Sequence, residues 1–227
     1  MKKIITILSV IFISLSVHAN DIYINQSGAS LDLDVLQDGQ NNTIGSSSTA
    51  SSVIGATTNL SITQIGDSNV MTFDVNGATY TGTFSVTGNS NNIDFNCDSQ
   101  GTNSSCGTAT ASIVWVGSSN DIDIDIGETS SATGATVSIT GASGSDSNVV
   151  LGTIDGNSAI LTLSINGDTN NFLVDIDGNG DSVGHTYVHT HTGSIADVDI
   201  TQSGIYDNMV TLTTSGDNAD IDITQTD

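Results

Sequence analysis

The sequence predicts an all-β fold, a β-solenoid of stacked strand–turn–strand repeats. Three observations predict it. Glycines recur every eleven residues, at Gly28 and Gly39, at Gly66, Gly77 and Gly88, at Gly156, Gly167 and Gly178, and at Gly193 and Gly204. An apolar-or-glutamine column ends two residues before each glycine and runs back by twos. Proline is absent from the chain, and a repetitive sheet loses a ladder hydrogen bond at every proline. Eleven residues make one strand and one tight turn, so the chain reads as strands that stack.

The first segment is read apart from the fold. Lys2 and Lys3 precede an apolar run from Ile4 to Val17, and Val17-His18-Ala19 fits the small-residue pattern before a cleavage site. Residues 1–19 are therefore expected to be a secretory signal peptide, with the mature chain starting at Asn20 as a single repeat domain, 20–227. The apolar run is short for a membrane span, and no membrane insertion is expected of the remainder.

From there the strands follow in order. Leu60, Ile62 and Gln64 form one inward set, then Met71, Phe73 and Val75, then Tyr80, Gly82, Phe84 and Val86, then Ile93, Phe95 and Cys97. The sets continue through Ile113 and Trp115, Ile122 to Ile126, Val137 and Ile139, Val150 and Ile154, Leu161 to Ile165 and Phe172 to Ile176. They close with Val198, Ile200 and Gln202, then Val210, Leu212 and Thr214, then Ile221, Ile223 and Gln225. Strand side chains alternate faces, so each set lines one face. Asp, Thr, Ser and Asn fill the other. Asparagines open every second strand, at Asn42, Asn69, Asn91, Asn120, Asn148, Asn170 and Asn208, with Leu31, Tyr80, Ala109, Ala159, Ala196 and Ala219 in between. The repeat is thus two strands, about 22 residues, as from Asn69 to Asn91 and from Asn148 to Asn170. The longer gaps at 98–108, 127–134 and 179–184 read as turn insertions, and 45–59 fits the pattern poorly. A single unit cannot bury its apolar face, so units must stack. Ile221, Ile223 and Gln225 carry the pattern to the last strand without an evident cap, and an open edge of this kind favours addition of another chain.

Charge narrows the function classes. The only basic residues are Lys2 and Lys3, against 25 acids, of which Glu128 is the one glutamate. A mature chain without cations cannot hold nucleic acid by neutralising phosphates. No catalytic constellation emerges: there is no nucleophile elbow, no phosphate-binding glycine loop before a helix, and no paired glutamates. The chain is not expected to be an enzyme.

The motif Gln-x-Gly-x-x-Asn is similar to the repeats of curlins, the secreted subunits of bacterial amyloid fibres. It stands at Gln37, Gly39 and Asn42 and at Gln64, Gly66 and Asn69, with partial matches at Gln26 and Gly28 and at Gln202 and Gly204. Within the chain the glutamine slot holds Val75, Val86, Trp115, Ile139, Ile154, Ile165 and Ile176, so the resemblance is to a divergent curlin-like relative. It implies a functional amyloid (a curli-type fimbrium) that is exported through the periplasm to the cell surface and polymerises there for cell adhesion and biofilm matrix. It also implies outer-membrane export and nucleation partners, with Gln26, Gln37, Gln64, Gln202 and Gln225 in hydrogen-bonded ladders.

Four further features have competing readings. Cys97 and Cys106 flank one insertion, and an exported chain would close them as a disulfide. His185, His189 and His191 share one strand face with Tyr187. The glycine register puts that face inward; a one-residue slip at the 179–184 insertion would turn Thr186, Val188 and Thr190 inward instead. The histidines are then surface or boundary groups, with a transition-metal site as the alternative. Asp175, Asp177, Asn179 and Asp181 open like a calcium loop but lack its closing glutamate, and a polar turn is the plainer reading. Outward aspartates such as Asp121, Asp123 and Asp125 would repel across one rung by about 0.9 kcal/mol in bulk water, so calcium or acid is expected to favour stacking. No resident cofactor is expected, calcium aside.

The leading expectation is a secreted, self-assembling fibre subunit. The alternative is a monomeric secreted solenoid adhesin or binding module with an acidic, calcium-binding face. Thr79, Thr81, Thr83 and Thr87 also bear a loose resemblance to ice-binding solenoids, on that one strand.

Overall fold

The computed structural model describes residues 21–46, 50–97, 106–127, 134–178, 184–206 and 208–226, together with the backbone alone at Cys106. The expected signal peptide lies outside them. The described chain is all-β. Its strands are β1 (Asp21–Ile22), β2 (Asn25–Asp38), β3 (Thr43–Ile44), β4 (Ser51–Ile65), β5 (Val70–Thr87), β6 (Asn92–Cys97), β7 (Cys106–Val116) and β8 (Asp121–Ile126). They continue as β9 (Gly134–Gly141), β10 (Val149–Asp155), β11 (Ile160–Asn166), β12 (Asn171–Asp177), β13 (Thr186–Thr192), β14 (Asp197–Ser203), β15 (Met209–Ser215) and β16 (Asp220–Thr226).

Every pairing is parallel, and each strand pairs with its equivalents one turn away. The order β15-β13-β11-β9-β7-β5-β6-β8-β10-β12-β14-β16 is one sheet wound about two faces, with the long strand β5 serving both. One face, here sheet A, stacks the first halves of β2, β4 and β5 with β6, β8, β10, β12, β14 and β16. The other, sheet B, stacks the second halves of β2, β4 and β5 with β7, β9, β11, β13 and β15. The solenoid makes about 7 turns, about 26 residues apart. The expected 22 is the shortest rung only. Successive rungs along the asparagine ladder are offset by 27, 22, 29, 28 and 22 residues.

Most of the variation sits at one corner. The corner entering a sheet A strand has four residues, as in Gly66-Asp67-Ser68-Asn69, Gly88-Asn89-Ser90-Asn91 and Gly117-Ser118-Ser119-Asn120, except before β10, where 142–148 makes seven. Its third residue takes the left-handed conformation, as Ser68 (φ 62), Ser90 (φ 58) and Ser119 (φ 59) do. Gly66 has φ +132, and a Cβ there would overlap the Gly39 carbonyl of the rung beside it, so only glycine lets the rungs approach at this spacing. The other corner is a bend within β2, β4 and β5, with Gly28 and Gly55 in register and Gly77 against Gly55. In later rungs it opens into connections of unequal length, so the expected insertions all fall on one edge. The poorly fitting stretch 45–59 resolves in the same way: from Ser51 it is β4, which runs through the bend with no turn to break it.

Alternation fixes the core. The inward sets read from the sequence are buried from β4 to β14, among them Leu60, Phe73, Phe84, Ile113, Trp115, Ile122, Leu163 and Phe172. Full burial of each such side chain stabilises by about 1.5–3 kcal/mol. Glycines make room where a column carries an oversized ring. A Cβ at Gly82 would meet the Tyr80 ring, and one at Gly141 would lie 2.7 Å from Trp115 Cζ2.

Candidate functional site

Corners are where a solenoid leaves backbone donors unpaired, and buried donors need partners. Here side chains supply them in two opposed ladders. On the inner side, each asparagine Oδ1 accepts the backbone N–H of the previous rung: Asn42 to Asn69 (2.8 Å), Asn69 to Asn91 (2.8 Å), Asn91 to Asn120 (2.9 Å), Asn120 to Asn148 (2.9 Å) and Asn148 to Asn170 (2.9 Å). On the outer side, each side-chain oxygen accepts from the following rung: Asp67 from Asn89 N–H (2.7 Å), Asn89 from Ser118 (2.6 Å), Asp146 from Asp168 (2.6 Å) and Asp168 from Ser194 (2.5 Å).

One expected member of the inner column belongs elsewhere. Asn208 precedes β15 in sheet B, and the column of Asn170 continues instead through Ala196 and Ala219. The capping function changes corner at this point. His185 Nδ1 accepts the Ala159 N–H (3.0 Å), and Asn208 Oδ1 accepts the His185 N–H (3.0 Å). An imidazole thus takes the place of an asparagine amide, and its lone pair on Nδ1 fixes the tautomer.

The histidines are in the core, which overturns the reading of them as surface groups. His185, His189 and His191 are fully buried, and the register does not slip: His189 pairs with Leu163 and Leu212 in the inward column. His191 Nε2–H donates to the Gly167 carbonyl (2.8 Å), and Tyr187 Oη lies 3.0 Å from His189 Nδ1. The Phe172 ring meets His189 edge-on at 4.5 Å. Burial, then the neighbouring His191, holds the His189 pKa down to about 4; burial also lowers that of His185 and raises that of Tyr187. The alternative metal reading fares no better. The His189 and His191 rings are 6.4 Å apart, and no group of three or more metal-ligating side chains converges among the described residues.

In the calcium-like stretch, Asn179 and Asp181 lie outside the described residues. Asp177 is bound locally. It accepts from the Ser203 hydroxyl and the Gly178 N–H, the two chief causes of its lowered pKa. Burial, with Asp177 adding to it, raises that of Asp175, which borders a shallow groove on sheet A with Asp123, Asp125, Leu151 and Leu173. Cys97 is disulfide-bonded, and the side chain of the chain's other cysteine, Cys106, lies outside the described residues.

The glutamines form two short ladders. Gln64 Nε2 donates to Gln37 Oε1 (2.8 Å) in sheet B, and Gln225 Nε2 donates to Gln202 Oε1 (2.9 Å) in sheet A. Gln26 heads the column that Gln202 and Gln225 end, with six rungs of Val, Cys and Ile between Gln26 and Gln202. Both ends of the described solenoid are open edges. β1 and β2 pair on one side only, as do β15 and β16. In the last rung Ile221 is 37% and Ile223 is 44% exposed, while one rung inward Val198 is 0% and Ile200 is 2% exposed. Val210 is only partly buried, as are Ile22, Ile24, Leu33 and Val35 at the opposite end.

The sheet A edges match at four of six positions, Asp, Ile, Ile and Gln, a signal present in the sequence but missed there. Asp21-Ile22-Tyr23-Ile24-Asn25-Gln26 occupies the columns of Asp220-Ile221-Asp222-Ile223-Thr224-Gln225. The internal strand Asp197-Val198-Asp199-Ile200-Thr201-Gln202 already pairs with the latter in that register. In sheet B, Leu33, Val35 and Gln37 share columns with Val210, Leu212 and Thr214.

The outer faces differ in kind. Outward threonines and serines are not confined to one strand. They recur on every strand of sheet B from β4 to β15, for example Thr63, Thr83, Ser112, Ser138, Thr162, Thr190 and Thr213. Sheet A carries outward aspartate on every strand from β5 to β16. Comparison of the chain with protein-family models, with curated proteins and with solved structures finds no match in any of the three.

Proposed function

We propose that this chain is a structural subunit that stacks head to tail into curli-like fibres. One observation carries the reading: the first and last strands of sheet A set the same Asp, Ile, Ile and Gln in the same columns, and the last rung leaves its core face half exposed. A second copy adding at that edge would set Ile22 on Ile221, Ile24 on Ile223 and Gln26 on Gln225 in sheet A. A glutamine beyond Gln225 extends the amide-to-carbonyl bond already made between Gln225 and Gln202. Parallel edges with unpaired backbone groups are templates for this addition.

In this reading the subunit is secreted behind a cleaved signal peptide, leaves through an outer-membrane export and nucleation system, and serves adhesion and biofilm matrix at the cell surface. Neither catalysis nor nucleic acid has a part in it. The alternative, a monomeric secreted module binding through its acidic face, draws on the aspartate columns of sheet A.

The test is fibre growth by the form beginning at Asn20, imaged by electron microscopy and fibre diffraction. Fibres with a reflection at about 4.7–4.8 Å are expected. Leu212→Asp with Ile223→Asp, one inward charge in each terminal strand, should abolish growth while the monomer keeps its β-sheet circular dichroism. A persistently soluble wild-type monomer refutes the proposal and favours the alternative.

A further inference from the structure

Charge is distributed unevenly between the two outer faces. Of a chain with 25 acids and no cation beyond Lys2 and Lys3, no acid lies on the outer face of sheet B from β4 to β15. Sheet A presents aspartate on each strand from β5 to β16. Two copies cannot bring their sheet A faces together without stacking carboxylate on carboxylate. They have no lysine or arginine to bridge sheet A to anything else on the same chain. Sheet B is the one broad face that a second copy can approach without that repulsion.

We propose that sheet B is an interaction surface for a second copy of this chain, the two sheets packing face to face with their acidic faces turned outward. The centre of the contact is the column Thr83, Ser112, Ser138 and Thr162, in register across β5, β7, β9 and β11. Beside it Val114 and Val116, 39% and 45% exposed, supply apolar area that gains by leaving water. Seven strands at about 4.8 Å spacing and about 3.3 Å per residue give a face of roughly 700 Å², close to the ~800 Å² each partner buries in a stable complex. A two-fold arrangement is self-complementary. With the solenoid axes antiparallel, it also sends the acidic first rung of each copy (Asp32, Asp34, Asp38 on β2) to the uncharged β15 end of the other.

This contact deepens the fibre reading, because it pairs filaments side by side, but it uses a different surface from the stacking edges. The two therefore fail separately. The chain is made with Leu212→Asp and Ile223→Asp to stop stacking, and its association is followed by sedimentation velocity. A dimer in the micromolar range is expected. Adding Ser112→Asp and Ser138→Asp should weaken that dimer by at least about 100-fold, since like charges set face to face cost several kcal/mol. Ser112→Asn with Ser138→Asn, of the same shape without the charge, should leave it intact. In the unblocked chain the Asp pair should turn double-width fibres into single filaments with growth retained. A stacking-blocked chain that stays monomeric overturns the proposal, as does an Asn pair that dissociates the dimer as fully as the Asp pair. So does a monomer that binds an insoluble neutral polysaccharide or ice through this face. Absence of fibres with the dimer intact counts against head-to-tail stacking alone.

Discussion

Acidification should loosen the C-terminal rungs through His189. The groups that face its ring are Leu163 and Leu212 in its column, Tyr187 and His191 on its own strand, and Phe172 across the core. None carries a negative charge that would offset a protonated His189 ring. The folded pKa is about 4, against about 6.5 for a free imidazole. A folded pKa below the unfolded one means that stability is present above pH 6.5 and is lost as pH falls through 4. The full span corresponds to roughly 3 kcal/mol, of which about 2 kcal/mol is already lost at pH 5. His185, lowered in the same direction by burial, adds to the loss. Asp177 titrates below this window, and the raised Asp175 acts with the opposite sign, so a matched variant is needed. His189→Leu with Tyr187→Phe removes both ends of one hydrogen bond and keeps the column apolar, a change expected to be near neutral at pH 7. Urea unfolding at pH 7 and pH 5, with hydrogen exchange read over 184–192, separates the histidine contribution. The wild type should lose about 2 kcal/mol more than the variant between these pH values. Equal losses in the two proteins would refute the assignment of the acid sensitivity to His189.

Two other outcomes follow from the ladders. Asn120→Ala leaves the buried Asn91 N–H without an acceptor and removes the Asn120 Nδ2 donation to the Gly117 carbonyl (3.1 Å); it should cost about 1–3 kcal/mol in urea unfolding, whereas alanine is native at the equivalent Ala196. Calcium should speed fibre growth, followed with an amyloid dye, because Asp197 stacks on Asp220 and Asp199 on Asp222. The same rate with calcium and with chelator would remove that reason for expecting cation control.

Local patterning made the core legible. Leu60, Ile62 and Gln64, or Ile122, Ile124 and Ile126, could be assigned inward because strand alternation is a property of neighbouring residues. The Gly-x-Ser-Asn corner was legible in part: glycine and asparagine stood out, but the left-handed Ser68 and Ser90 between them did not, since serine is an ordinary turn residue. Asn208 was placed in the wrong sheet for a different reason. Strands of both sheets obey the same eleven-residue grammar, so a strand's sequence does not say which sheet it joins once a connection changes length. The histidines were ambiguous on the same account, because a variable connection precedes β13 and a one-residue slip would reverse its faces.

By itself the sequence determined the secretion-type leader as an expectation, the strand period, the inward columns and the absence of cations. These need only composition and contacts a few residues apart. Tertiary structure alone decided which residues share a column over 22 to 29 positions of chain. Through those columns it decided that His185 stands in for an asparagine, that Gln26 and Gln225 cap one column, and that hydroxyls and carboxylates gather on opposite faces. The physical reason is that strands of a parallel stack are ordered by pairing between turns, and that pairing is a long-range choice made by the whole core.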